Sequence, residues 1–204
     1  MSLACGPAYE VKNYLNDNGR QISFDLLDHD PMSIAYTFRT LGNEGIRHIQ
    51  CNAYDLIKGI RSLKQLRGGT DPDFSEAPFV LSGERYDMIY STGLYDYIKY
   101  FPLNKSRGVS GLTATLFDFL KPGGRLFIGN FLRPGNENLH IIPHRFMMEA
   151  YSEWFLLYRT PDEIAGFAEM IKLNAAKLEL LDADLVHPIS ERSTIGFLVL
   201  TKAA

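Results

Sequence analysis

Tyr86-Asp87-Met88-Ile89-Tyr90-Ser91-Thr92-Gly93-Leu94-Tyr95-Asp96-Tyr97 decides the fold once it is taken with the next forty residues of the chain, roughly one βαβ unit's length. A short apolar run over 86–91 ends on small residues at Thr92-Gly93, and an amphipathic stretch over 108–119 comes next. Leu120-Lys121-Pro122-Gly123-Gly124-Arg125-Leu126 then turns the chain into a second apolar run, 125–130. Strand length, helix length, strand length, punctuated by glycine and proline, is the pattern of a βαβ unit. Runs that are apolar throughout belong to a parallel sheet covered by helices on both faces.

Working outward, the same alternation fills the chain. Further strands are expected at 2–4 (a stub), 22–28, 46–50, 177–185 and 194–202, and helices at 8–17, 32–41, 53–66 and 162–172, with a less regular helical region around 144–154. Asn18-Gly19 can end a helix, and Asp30-Pro31 can start one with proline in its first turn. Thr160-Pro161-Asp162-Glu163 supplies a cap, a first-turn proline and two acids facing the helix dipole. Residues 68–83 hold adjacent glycines, two prolines and several acids, and read as a long loop. The expectation is one doubly wound α/β domain over 1–204, its sheet seven-stranded and mostly parallel, with a truncated first strand and a C-terminal antiparallel hairpin.

Composition narrows the function. The 204 residues carry 21 Lys and Arg against 24 Asp and Glu, a formal net charge of -3, so no global field draws polyanions, and nucleic acid is not expected as a partner. The basic spacing over 58–67 reads as a solvated helix face. Two cysteines are too few for a disulfide framework, no apolar run approaches the roughly 20 residues a membrane span needs, and no signal peptide is legible; a reducing cytoplasm fits. The oligomeric state stays open, a homodimer included.

Three strand ends carry candidate chemistry. Leu3-Ala4-Cys5-Gly6-Pro7-Ala8 is a small-residue turn between a strand stub and a helix, where a ligand can approach the backbone and meet unpaired N–H groups. Phe24-Asp25-Leu26-Leu27-Asp28-His29-Asp30 places acids at the C-terminal edge of the next strand. Asp28, directly after the apolar run, can accept both hydroxyls of a ribose, whereas Asp30 is better placed as a helix cap. Gln50-Cys51-Asn52-Ala53 ends the third strand with an amide and a backbone N–H suited to an adenine edge.

In this order these elements resemble class I S-adenosylmethionine-dependent methyltransferases over essentially the whole chain from Leu3 to Lys202. The resemblance implies S-adenosylmethionine as cofactor and S-adenosylhomocysteine as product, contacted by Ala4, Cys5, Gly6, Pro7, Asp28, His29, Asn52, Ala53, Ser91, Thr92 and Gly93. Two departures stand out: Pro7-Ala8 where a fuller glycine-rich loop has another glycine, and Asn52 where an acid is more common. Ser2–Pro7, Ser91–Tyr97 and Glu153–Thr160 look like a bacterial group that methyl-esterifies 3-hydroxy fatty acids. A carboxylate acceptor needs orientation and an acyl-chain pocket but no base; a hydroxyl or amine needs one, for which Asp96, His140 and His144 are candidates.

Tyr95 and Asp96 follow the fourth of these strands and are expected, with His144, to position the acceptor; Tyr95 and Tyr97 are equally readable as core residues, and Asp96 as a cap. His140 and His144 have no nearby cysteine or carboxylate, so no metal site is expected. A nicotinamide-dependent oxidoreductase would share the turn and the acid, but the turn lacks the glycine spacing for a pyrophosphate. A noncatalytic module of the same fold is the other alternative, because the first strand is only Ser2-Leu3-Ala4, and the chain reads as the C-terminal part of a longer protein.

Overall fold

The computed structural model describes residues 1–67, 75–81, 83, 85–101, 103–133, 141–190 and 192–204. In chain order these form β1 (Ser2–Leu3), α1 (Tyr9–Asn18), β2 (Phe24–Asp28), α2 (Pro31–Leu41), β3 (Ile46–Gln50), α3 (Ala53–Ile57), β4 (Ser62–Arg67) and β5 (Ser75–Val80). The chain continues through β6 (Tyr86–Thr92), α4 (Gly108–Asp118), β7 (Leu120–Phe131), α5 (Ile141–Ser152), α6 (Pro161–Ala165), β8 (Ala176–Asp182) and β9 (Ile195–Lys202).

All strands join one sheet of order β5-β4-β3-β2-β1-β6-β7-β9-β8. The five central strands, from β3 across to β7 in that order, run parallel, and antiparallel pairs extend them at both edges. The sheet order reverses at β1: β2 and β3 lie on one side of it, β6 and β7 on the other. Ligands of open α/β sheets bind outside the strand C-termini at such a point.

Both faces are covered, so apolar side chains of the central strands are buried on each side. Phe24, Leu26 and Ile46 pack under Val11 of α1 and Ile34 and Leu41 of α2. On the opposite face Leu3, Leu27, Ile89 and Leu126 meet Leu56 of α3, Val109, Leu112 and Leu116 of α4, and Ile164 of α6. At roughly 1.5–3 kcal/mol per buried large apolar side chain, these two layers dominate the stabilisation.

The expected helix ends are present. Asp30 caps α2 through bonds from the N–H groups of Met32 and Ser33, both 3.0 Å, with Pro31 in the first turn. Thr160 and Glu163 form a reciprocal capping box at α6. Gly19 ends α1 at φ +66°, its N–H bonded to Leu15 O.

Two segments differ from the sequence expectation. The helix expected over 53–66 stops at Ile57, Gly59 takes φ +82°, and the chain returns as β4 antiparallel to β3. Leu56, Ile60, Leu63 and Leu66 have helical spacing, but Leu63 belongs to one core layer and Leu66 to the other, as a strand requires. The basic residues at 58–67 are therefore not a helix face. Within the expected loop 68–83, Ser75–Val80 pairs with β4 as the edge strand β5, where Pro78 is tolerated, so among the described residues the sheet has nine strands where seven were expected. A smaller difference lies at 162–172, where α6 gives way after Ala165 to a 3-10 turn, Gly166–Ala168.

Candidate active site

The site grows from the C-terminal ends of β1, β2, β3 and β6. After Leu3 the backbone leaves the strand abruptly: Ala4 (φ +56°), Gly6 (φ +48°) and Ala8 (φ +49°) are all left-handed. Glycine adopts that geometry freely, while for each alanine it costs about 1–2 kcal/mol. The turn is held by neighbouring strands. Cys5 N–H donates to Leu27 O at 3.0 Å, Ala8 N–H to Cys5 O at 2.9 Å, and Gly6 N–H to Asp28 Oδ2 at 2.8 Å. Such concentrated strain, bonded into place, characterises ligand-binding turns.

Asp28 ties this turn to the next one. It is buried (6% exposed); Oδ2 accepts from Gly6, and Oδ1 accepts from Asp30 N–H at 3.0 Å. The His29 ring lies 3.3 Å from Oδ1 and is otherwise exposed. A carboxylate has about four lone-pair positions, so two backbone donors leave capacity for a ligand's hydroxyls. Burial and the Asp28 charge push the Cys5 thiol up to about 12, and burial and Asp55 push Cys51 to about 12. Both thiols are packing groups, not nucleophiles.

Beside this turn lies a cleft of about 200 Å³. Ala4, His29, Asn52 and Ala53 line it together with Cys51 and Tyr54, while Leu94, Tyr97 and Ile98 close it from the β6 exit. Asn52 caps α3, its Oδ1 accepting from Tyr54 N–H at 2.9 Å. That bond fixes the carboxamide orientation and leaves the NH₂ for a ligand acceptor. Asn52→Ala is expected to lower stability by about 1 kcal/mol, the usual worth of an N-cap, which a melting curve will register.

The remaining expected residues separate. Pro7 sits on the strained turn, Ser91 is fully buried with Oγ unpartnered, Thr92 is exposed at the end of β6, and Gly93 takes φ +88°. A Cβ at Gly6 or Gly93 would meet nothing within 4 Å, so open space lies over both backbones. Tyr95 is placed in the core and not at the cleft: it is fully buried, its hydroxyl 3.1 Å from Thr113 Oγ1, its ring 5.3 Å from Phe167. Asp96 is 1% exposed and accepts from Phe131 N–H at 2.8 Å; burial pushes its carboxyl up to about 6 against the opposing effects of that bond and of Arg159. His140 and the side chain of His144 lie outside the described residues. Among the described residues no group of histidine, cysteine and carboxylate could hold a metal.

Sequence reasoning missed the group that builds this edge. Arg159, 6% exposed, donates through Nη1 to Tyr95 O (2.7 Å) and Asn130 Oδ1 (2.5 Å), and through Nη2 to Ile98 O (2.5 Å). It locks the β6 exit to the end of β7. A lone arginine beside the apolar Trp154–Tyr158 run carries no spacing signal.

No protein-family profile and no curated protein sequence matches this chain. Solved structures do. A possible exported protein from Bordetella parapertussis superposes with a TM-score of 0.64 at 17% identity, over 100% of this chain and 61% of its own. The putative methyltransferase of Haloferax volcanii, solved in complex with the Trm112 methyltransferase activator, gives 0.59 at 12% identity, over 100% and 81%. A TehB-like S-adenosylmethionine-dependent methyltransferase from Corynebacterium glutamicum gives 0.54 at 17% identity, over 98% and 78%. The fold is that of the class I methyltransferases. At these identities the likeness establishes architecture, and this chain spans 61% of the first of those neighbours. Among the described residues no helix is long and apolar enough to cross a membrane.

Proposed function

We propose that this chain transfers the methyl group of S-adenosylmethionine to a small-molecule acceptor, releasing S-adenosylhomocysteine. The observation that carries the reading is Asp28: a buried carboxylate at the sheet's reversal point, bonded to the strained Gly6 turn and next in sequence to His29 in the cleft. The residues present fit this cofactor. The open backbone at Gly6 and Gly93 admits close approach, Asp28 keeps lone pairs for ribose hydroxyls, and the Asn52 amide with the Ala53 N–H suits adenine. Ala4, Cys5 and Pro7 shape the turn, and Ser91 and Thr92 the β6 side of the same site. When bound, the cofactor supplies an electrophilic methyl on a sulfonium; the protein's part is to orient the acceptor in line and exclude water.

The favoured acceptor class is the carboxylate of a hydroxy fatty acid. Leu94, Tyr97 and Ile98 give the cleft an apolar wall. Exposed Trp154 adjoins this wall, its indole N–H donating to the Tyr97 hydroxyl. Such an acceptor is already nucleophilic. Asp96 favours a second reading, a hydroxyl or amine acceptor: a buried carboxyl with its pKa near 6 and one oxygen fixed by Phe131 is a suitable base, and the neighbouring Tyr97 lines the cleft. The two free, buried cysteines fit a reducing compartment, and the cytoplasm is the proposed location.

Calorimetry with S-adenosylmethionine and S-adenosylhomocysteine tests the first claim; tight NAD(P) binding with affinity for neither, or cofactor binding without turnover over a broad acceptor panel, overturns it. Asp96→Asn separates the acceptors. With a carboxylate acceptor, turnover changes less than about threefold; with a hydroxyl or amine it falls by about 10²–10⁴, and the wild-type rate climbs through pH 6. Stability moves the other way. Because folding raises this carboxyl, its contribution is fully present below about pH 4 and is lost as pH rises through 6, a loss of roughly 3 kcal/mol at about 1.4 kcal/mol per tenfold in proton affinity. Asn can still accept from Phe131, so the variant should melt higher than wild type at pH 8 and not at pH 4.

A further inference from the structure

Arg159 is a buried cation without a counter-ion. It is 6% exposed, and a charge removed from water is as a rule paired with an opposite one. Its three bonds go instead to neutral oxygens, Tyr95 O, Ile98 O and Asn130 Oδ1. Among the described residues no carboxylate pairs with it: Glu163 pairs with Arg133, and Asp96 acts on Arg159 only through its longer-range charge. A guanidinium carries more N–H donors than these bonds use, so donors are left over.

Arg159 lines a cavity of about 290 Å³ together with Tyr100, Asp162, Glu163 and Gly166. None of these residues lines the cleft beside the Gly6 turn; Ile98 links the two, lining that cleft while its carbonyl accepts from Arg159. The aromatic wall is held in place. The Tyr100 hydroxyl donates to Glu169 Oε2 at 2.9 Å, and Glu169 also accepts from Ser110 Oγ at 2.8 Å and pairs with Lys105 at 2.7 Å. The two acids at the cavity differ. Glu163 is occupied by Arg133 Nη2 and by the Thr160 N–H, whereas the exposed Asp162 side chain has no bond or ion pair among the described residues. A Cβ at Gly166 would meet nothing within 4 Å, so the space beside it is open.

We propose that this cavity binds a small zwitterion of the α-amino acid class, its carboxylate on Arg159, its ammonium at Asp162 and its apolar side chain against Tyr100. A carboxylate supplies the missing counter-charge and accepts from the donors left over, in the planar geometry that suits a guanidinium. A plain anion is disfavoured because Asp162 and Glu163 line the same cavity and like charges brought together repel. A plain cation leaves Arg159 unpaired. Size agrees, because about 290 Å³ lies at the lower end of ligand cavities, a scale that suits an amino acid.

Calorimetry on the whole chain with L-leucine, isopentylamine and 4-methylpentanoate tests this, since each control keeps the branched alkyl group of leucine and lacks one of its charges. Leucine is expected to bind with a Kd of about 1 mM or tighter, and each control at least about tenfold more weakly. Gly166 has right-handed helical geometry (φ -59°, ψ -16°), where leucine is a better former than glycine. Gly166→Leu should therefore fill the cavity and abolish leucine binding while melting no lower than wild type. Asp162→Asn should weaken leucine by about tenfold and leave 4-methylpentanoate undiminished. No leucine binding, equal binding by either control, or unchanged leucine affinity in either variant overturns the proposal. The measurement involves no cofactor, so its outcome is independent of the methyl-transfer reading.

Discussion

Asp28→Ala is expected to lower S-adenosylmethionine affinity by at least a hundredfold and to lower Tm markedly, because it removes an acceptor from two turns at once. Gly6 N–H and Asp30 N–H both end on this carboxylate. Hydrogen bonds to a charged partner are worth about 1.5–3 kcal/mol each, so the folded state loses roughly 3–6 kcal/mol. The left-handed alanines on either side of Gly6 then lose the bond that offsets their strain. Asp28→Asn divides the effects: its one carbonyl oxygen can serve Gly6 or Asp30, and its NH₂ must face the other N–H. It should melt between wild type and alanine, yet bind cofactor nearly as poorly as alanine, since the carboxylate for the ribose is gone. Melting curves and calorimetry on the three proteins check both statements; undiminished binding by Asp28→Asn removes Asp28 from the cofactor site.

What could be read from the sequence was what local chemistry dictates. Asp30-Pro31, Asn18-Gly19 and Thr160-Pro161-Asp162-Glu163 each satisfy the backbone groups of a helix end within four residues, so their bonds are legible without knowing the fold. Asp28 was legible because an acid directly after an apolar strand has one place to be, the C-terminal edge. The β4–β5 pair was not legible. Leu56, Ile60, Leu63 and Leu66 satisfy a helical period by coincidence, and only pairing of His48, Ile49 and Gln50 with Leu66, Gln65 and Lys64 decides for strand. Tyr95 shows the opposite limit. Its position after β6 suggests the cleft, but the short 3-10 turn Tyr95–Tyr97 directs Tyr95 into the core and Tyr97 to the cleft.

Arg159 is where long-range structure matters most, and its substitution should cost more stability than any other made at this edge. Its guanidinium holds two carbonyls of the β6 exit, Tyr95 O and Ile98 O, together with Asn130 Oδ1, and stacks 5.1 Å from the centre of Phe167. Asn130 Nδ2 in turn donates to Phe131 O and Leu157 O, and Phe131 N–H fixes Asp96. Arg159→Leu leaves two buried carbonyls and an amide oxygen unpaired, at about 1–3 kcal/mol apiece, for a total of roughly 3–9 kcal/mol and a Tm fall of at least about 6 °C at 2–4 °C per kcal/mol for a chain of this size. Arg159→Lys keeps the charge but replaces a planar fork with a single ammonium that cannot span Ile98 and Asn130 together, so it should recover less than half the loss. If Arg159→Leu melts within about 2 °C of wild type, the network is ornamental and Asp96 is positioned by Phe131 alone. If instead Arg159→Lys melts near wild type but loses turnover at unchanged cofactor affinity, Arg159 acts by placing Tyr97 and Asp96 at the acceptor side, a role that loss of stability alone would not reproduce.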